Sequence, residues 1–202
     1  MRKIDPMNQG EVARWPVPRG VPRSGALLWR VPRPVAPLLM GVLGRPAGSP
    51  LRRRVITDAL RAGMSLMNSG EADRALRFYD SACEIHIGQG FPLDAEPVYH
   101  GHAGWLAAIR LWEQVATLSF VAEEVLDMGG PCFTVLMRVS LTGTDSGAEA
   151  PPVQAVWTYS LRSGLIVRLD MRHDGWDTAP TELAAALQRL TPATEKPSST
   201  PA

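Results

Sequence analysis

The sequence predicts an α+β domain in which a curved antiparallel sheet wraps around about three helices. Three observations lead there. The stretch Val153–His173 reads as two strands joined by a tight turn, and two long strand-like segments, Ala116–Met128 and Cys132–Thr142, precede it. Helical periodicity is concentrated in the chain before those strands. Helices followed by a run of strands, with no strict alternation between the two, is the order of an α+β domain.

The hairpin is the clearest element. Val153, Ala155, Trp157, Tyr159 and Leu161 alternate with Gln154, Val156, Thr158, Ser160 and Arg162; Leu165, Val167, Leu169 and Met171 alternate with Ile166, Arg168, Asp170 and Arg172. Period-two alternation sends the two sets to opposite faces. Ser163-Gly164 lies between the strands, and glycine supplies the positive φ of a hairpin turn. One face is therefore apolar and aromatic and needs cover.

The cover comes from upstream. Val55, Ile56, Ala59, Leu60, Gly63, Leu66 and Met67 recur at helical spacing over Leu51–Asn68, with Ser49 as N-cap, Pro50 in the first turn and Asn68-Ser69-Gly70 as the stop. Glu71–Tyr79 reads as a second, shorter helix, Ala82–Ile87 as a short strand and Gly88–Pro97 as a loop. Tyr99-His100-Gly101 leads into a third helix over His102–Val115, with Trp105, Ile109 and Trp112 on one face. Pro180–Leu190 is amphipathic and helix-like. Residues 1–50, rich in proline, glycine and arginine, are expected to be disordered, and so is the tail 191–202; the folded domain is expected over 51–190.

Composition narrows the function classes. Of 202 residues 45% are apolar, which supports a core, and the net charge of +1 gives no global pull toward nucleic acid or a membrane. Nine arginines and no acidic residue lie between Val12 and Arg54, so a solvated tail competes with contact to an acidic surface there. The apolar run Val35–Leu43 is too short to span a bilayer and is interrupted by Pro37. Cys83 and Cys132 read as buried thiols of a cytoplasmic protein, with a disulfide as the alternative. No spaced Cys/His cluster points to a metal, His100-Gly101-His102 having no third ligand nearby, and no cofactor is expected.

Three motifs in order carry a resemblance. NSGEADRALRFYDSACEIHI is similar to the helix–turn–helix–strand opening of the nuclear-transport-factor-like superfamily, which includes ketosteroid isomerase, SnoaL-like polyketide cyclases and limonene epoxide hydrolase. VYHGHAGWLAAI resembles its loop before the third helix, and WTYSLRSGLIVRLDMRHD its closing hairpin. The likeness covers about Leu51–Leu190. It implies a cystatin-like cone whose concave sheet and helices enclose an apolar pocket with a few polar groups, the kind of cavity that tunes acid–base groups.

The same resemblance marks what is missing. Where family members often read His-Asp at the end of the opening strand, this chain reads His86-Ile87. Where the epoxide-hydrolase pattern has Arg-x-Asp and a later Asp, it reads Arg138-Val139-Ser140 and Met171. Without these carboxylates neither mechanism has its base. The remaining candidates for chemistry are His86, Arg138, Tyr159 and His173, with Trp105, Phe120, Ser140, Trp157 and Met171 as pocket wall. Arg138, if buried, needs an anionic partner: a ligand, or Glu84, Asp170 or Asp174; otherwise it reaches solvent at the sheet edge. Asp174 sits at a family-typical acidic position.

With Arg138 and Ser140 on the pocket side, Phe133, Val135, Met137, Val139 and Leu141 fall on the outer face of their strand. An apolar outer face must be covered. Superfamily members commonly dimerise through it, so a homodimer burying these side chains is expected. Two functions follow: a pocket protein binding a small apolar ligand, or an isomerase, cyclase or dehydratase acting on a small carbonyl compound. In the second, His86 or His173 moves the proton while Arg138 and Tyr159 stabilise an oxyanion.

Overall fold

The structure, a computed structural model, describes residues 12–18, 42–88 and 96–172. Seven strands form one sheet: β1 (Ala13–Pro16), β2 (Tyr79–Ile87), β3 (Val98–His100), β4 (Ala116–Asp127), β5 (Cys132–Gly143), β6 (Val153–Arg162) and β7 (Leu165–Arg172). Their order across the sheet is β1-β4-β5-β6-β7-β2-β3. Helices α1 (Pro50–Asn68), α2 (Ala72–Ala75) and α3 (Gly101–Val115) complete it, with a 3₁₀ turn at Leu76–Phe78. This is the expected α+β cone. One pairing departs from the antiparallel expectation: β2 runs parallel to β7. β3, α3 and β4–β6 lie between these two strands in the chain, so no hairpin dictates their direction.

The β6–β7 hairpin forms as its alternation requires. Ser163 and Gly164 both have positive φ, at 50° and 81°, the pattern of a type I′ turn whose twist suits a two-residue hairpin. Trp157, Tyr159, Leu169 and Met171 face the interior and are buried. β5 joins them by direct pairing: Phe133 lies opposite Tyr159, Val135 opposite Trp157 and Met137 opposite Ala155. Residues opposite each other in a sheet share a face. Phe133, Val135, Met137 and Val139 are therefore buried core side chains, and the expected homodimer cannot bury them. Arg138 and Ser140 take the outer face. The centre of that face is also closed to solvent within the chain, with Cys132, Thr134, Thr158 and Ser160 all buried.

β4 keeps its apolar residues inside by an irregularity. Its register with β5 shifts between Ala122 and Glu124. Strict alternation from Phe120 and Ala122 would send Glu124 and Leu126 inward; the extra residue, Glu123, sends Val125 inward instead. Glu123 and Glu124 both end in ion pairs on the outer side, with Arg138 and Arg14 respectively.

α1 and α3 fill the concave side. Trp105, Trp112 and Trp157 are the three largest fully buried side chains. Trp105 and Trp112 meet edge-to-face at 5.5 Å, a favourable arrangement of ring quadrupoles. α3 begins at Gly101, whose φ is 66° and whose added Cβ would stand 2.7 Å from the Ser81 carbonyl oxygen; only glycine admits the chain there. His102 bonds through Nε2 to the Tyr79 carbonyl oxygen at 3.0 Å, so it ties α3 to β2 rather than capping its own helix. The second helix is shorter than expected, because Tyr79 already belongs to β2.

The amino-terminal expectation needs the largest correction. Residues 13–17 are not a disordered tail: β1 pairs with β4, with Trp15 opposite Val125, and Val17 N–H donates to the Glu123 carbonyl at 2.8 Å. An edge strand tolerates the flanking prolines because one side of its backbone needs no ladder partner. Trp15, 2% exposed, packs in the core, as does Leu43. The Trp15 Nε1–H donates to Thr57 Oγ1 at 3.1 Å. Beside it Arg52 and Asp127, both fully buried, form a two-pronged ion pair with both contacts at 2.7 Å. Arg52 also donates to the carbonyls of Leu43 and Gly130, and Asp127 accepts from the amides of Gly129 and Gly48. The pair fastens residues 43–52 to the end of β4. Residues 1–11 and 19–41, His173, Asp174, the Pro180–Leu190 segment and the tail 191–202 lie outside the described residues.

Candidate ligand pocket

A half-enclosed cavity of about 110 Å³ lies between α1, α2 and the inner face of β6 and β7. Val55, Ala59 and Gly63, spaced four apart on α1, form one wall. The hairpin end at Leu161, Gly164 and Ile166 forms the opposite wall, and Trp105, Phe133, Trp157 and Tyr159 the floor. Ala59 is exposed and Val55 and Gly63 partly so, which places the mouth along this small-residue row. Among the described residues the lining contains no Asp, Glu, His, Lys or Arg.

Polar atoms are few and conspicuous. The Tyr159 hydroxyl and the Trp157 Nε1–H are buried with no hydrogen-bond partner among the described residues. Such groups normally find one. Tyr159 is held in place by stacking on Phe133, with ring centroids 5.1 Å apart and planes at 18°. Trp157 leans on Phe120 at 5.4 Å. Burial pushes the Tyr159 hydroxyl well above the usual phenol range, with Tyr79 as a lesser cause. Tyr79, which also lines the cavity, is raised by burial and then by Cys83. Both phenols are neutral at physiological pH.

The sequence-predicted site residues separate into two groups. Tyr159, Trp105 and Trp157 meet in the cavity, with Met171 and Phe120 in the core beside it. His86, Arg138 and Ser140 stand on the other face of the sheet. Cys83, Ile85 and Ile87 are the inward residues of β2, so Glu84 and His86 point outward. His86 Nε2 bonds Glu84 Oε2 at 2.8 Å, and that bond is the main reason the Glu84 carboxyl lies below its usual range. Arg168 grips Asp170 through two bonds, at 2.8 and 2.6 Å. Arg138 Nε lies 3.2 Å from Glu123 Oε1, its side chain 34% exposed. Its partner is thus a bulge residue, and Glu84 and Asp170 are engaged elsewhere. Of the three proposed catalytic groups among the described residues, only Tyr159 lines the cavity. The sequence reading missed Tyr79, Phe133 and the Val55/Ala59/Gly63 row. The last was visible as a four-residue spacing of small side chains on one helix face.

Cys83 and Cys132 are buried thiols, not joined by a disulfide. Burial, then Asp80, pushes the Cys83 thiol up to about 11. These raised groups give the fold an alkaline limit. Unfolding returns the thiol to 9.0 and the phenols to 10.0. The folded values being higher, the native state holds its protons more tightly, so the stabilisation is complete below pH 9. It is lost as pH rises, first through Cys83 and then, from 10 upward, through Tyr79 and Tyr159. The urea midpoint is expected to fall between about pH 9 and about pH 11, and the fall to flatten in Cys83→Ala with Tyr159→Phe. A midpoint independent of pH over that range refutes the assignment.

A cone-shaped α+β domain with an uncharged, aromatic-floored cavity is what the fold and site together define. That fold is shared with solved structures described as nuclear-transport-factor-like. Among solved structures, the chain is similar to a nuclear-transport-factor-like protein of unknown function from Burkholderia pseudomallei, at 18% identity and TM-score 0.51, over 67% of this chain and 95% of that one. It is also similar to TerC, crystallised with polyporic acid, at 18% identity and TM-score 0.52, over 63% of this chain and 96% of that one. No protein-family model and no curated protein matches the chain. At this identity the likeness speaks for the fold alone. No helix among the described residues is long and apolar enough to cross a membrane.

Proposed function

We propose that the protein binds a small, mostly apolar molecule in the cavity between α1 and the β6–β7 hairpin, without performing acid–base chemistry on it. The observation that carries this reading is the lining: among the described residues it is aliphatic and aromatic throughout, with no titratable group that changes charge near neutral pH. Its size suits one ring or a short aliphatic chain, since an engineered apolar cavity of about 150 Å³ takes up benzene. TerC, which shares the fold, was crystallised with polyporic acid, which supports a ligand-holding role for this architecture.

The enzymatic alternative needs His86 or His173 together with Arg138 beside Tyr159; His86 and Arg138 lie across the sheet from Tyr159, and His173 is outside the described residues. Titration of the full chain with toluene by calorimetry tests the binding reading. Uptake is expected in the wild-type protein and in His86→Ala and Arg138→Ala, within about twofold. In Ala59→Trp, which fills the mouth from an exposed position, it is expected to drop by about tenfold or more. A folded wild-type protein that takes up no toluene, or an Ala59→Trp variant that binds as before, overturns the reading. Native mass spectrometry of the purified chain identifies any compound retained from the expression host.

A further inference from the structure

We infer that the protein carries a second binding site, for an organic anion with an apolar body, in a groove along the edge of β4 between α1 and the end of β1. This site is separate from the apolar cavity, and the inference does not rest on the reading of that cavity.

β1 ends at Pro16, and Val17 N–H makes the next backbone bond, to the Glu123 carbonyl. Beyond that point none of the described strands pairs with Phe120–Ala122 on this side. A groove of about 510 Å³ opens there, within the usual size of a small-molecule site. Val17, Met64, Phe120 and Ala122 give it an apolar floor. The backbone asks little of a ligand, because the Asn68 carboxamide already bonds both the N–H and the carbonyl of Phe120. The charged groups in the lining are all of one sign: Arg61 from α1 and Arg138 from β5, with no Asp or Glu. α1 lies on the concave side, and Arg138 stands opposite Val121 on the outer face. Only the uncovered edge lets these two arginines line one groove.

Arg138 sets the charge of the ligand. Its side chain is 34% exposed, and its one acidic contact runs from Nε to Glu123 Oε1 at 3.2 Å. Its two terminal nitrogens have no acceptor among the described residues. A guanidinium is a planar fork of five donors that matches a carboxylate through two parallel bonds, so the outer side of this fork is available to an anion. Glu123 is a weak competitor, since an ion pair at this exposure is worth little. The apolar floor beside the fork adds affinity for a hydrocarbon or aromatic body, which a bare inorganic anion lacks.

Two probes of one shape separate the charge from the body: 2-naphthoate and 2-naphthamide, whose two rings exceed the one-ring size of the apolar cavity. Calorimetric titration of the full chain at neutral pH is expected to give 2-naphthoate binding about tenfold tighter than the amide, and weakening by about threefold or more in 0.5 M salt. Arg138→Gln and Arg61→Gln are each expected to weaken 2-naphthoate by about fivefold or more, with 2-naphthamide unchanged within about twofold. Glu123→Gln removes the competing carboxylate and is expected to tighten 2-naphthoate by about threefold, an outcome that a purely structural role for Arg138 does not give. Ala59→Trp, at the mouth of the apolar cavity, is expected to leave 2-naphthoate binding as it was. Equal affinity for acid and amide, no binding of 2-naphthoate, or binding indifferent to both arginine variants overturns the inference. So does its loss in Ala59→Trp, which would seat the anion in the apolar cavity. Toluene uptake is read separately, so either site can fail without the other.

Discussion

Asp127→Ala is expected to lower unfolding stability by about 3–5 kcal/mol, the cost of leaving a buried charge without its partner. Arg52 is fully buried, so its guanidinium cannot turn to water when the carboxylate is removed. The damage spreads because the carboxylate also accepts from the Gly129 and Gly48 amides. The loss joins three places at once: residues 43–49, the first turn of α1, and the exit from β4. Arg52→Ala is expected to cost a similar amount, since it strands Asp127 and two carbonyls. Replacing both members by apolar residues, Arg52→Met with Asp127→Leu, removes the stranded charges together. It is expected to recover a large part of the loss, though not the amide contacts. Urea unfolding of the two single variants and the double one gives the coupling directly. Single variants that unfold within about 1 kcal/mol of wild type contradict a buried pair at this position.

Trp15→Ala is expected to cost about 3–5 kcal/mol, the usual range for emptying a buried aromatic site. The indole is 2% exposed and its N–H is bonded to Thr57, while Arg53 stacks over the ring at 5.8 Å. Deleting residues 1–18 is expected to cost more, because it also strips β1 from β4 along Glu124–Asp127. The bared edge then offers unpaired backbone groups to other molecules. Further along β4 the edge is already protected: the Asn68 carboxamide accepts from the Phe120 N–H at 2.8 Å and donates to the Phe120 carbonyl at 2.9 Å. The truncated chain is therefore expected both to unfold earlier in urea and to grow in light-scattering mass with concentration. A truncated chain with the wild-type midpoint and mass shows that residues 13–17 contribute nothing to the fold.

These two predictions fall where sequence reasoning read least. Segment 12–18, followed by a proline- and arginine-rich stretch, carries no hairpin partner or periodic run of its own. A four-residue edge strand leaves almost no local signal, because its stability comes from β4, more than a hundred residues away in the chain. Arg52 likewise sits in a run of three arginines that looks like a solvated helix face; only the arrival of Asp127 from β4 makes one of the three a core residue. The hairpin was legible for the opposite reason. Its alternation, its Ser163-Gly164 turn and its length are all local, and local rules decide them.

The site divides in the same way. Tyr159, Trp105 and Trp157 were legible as pocket residues because each stands in an unambiguous apolar stripe. Arg138, with solvent at the sheet edge as its alternative, Ser140 and His86 were counted as candidate pocket groups, and the sheet sets all three on its other face. On β5 both alternating sets are partly apolar, so composition does not say which set faces in; the register of Phe133 on Tyr159 and Val135 on Trp157 does. Had that register been applied, Arg138, which lies opposite Gln154, would have joined the polar face. On β2 the inward set is Cys83, Ile85 and Ile87, set by parallel pairing to β7 that no turn announces.

By itself the sequence determined the fold class, the helix over 51–68, the meander and its tight turn, and the absence of a carboxylate at Ile87, Ser140 and Met171. Those follow from side-chain chemistry and from spacings of a few residues. Tertiary structure alone decided which face of each strand holds the pocket, that the amino-terminal strand belongs to the sheet, and that Arg52 and Asp127 share one buried site. A one-residue change of register or a bulge such as Glu123 inverts the faces of a strand without altering its composition. Pairing across the chain, not the residues of any one segment, therefore left Tyr159 facing an apolar cavity and placed Arg138 outside it.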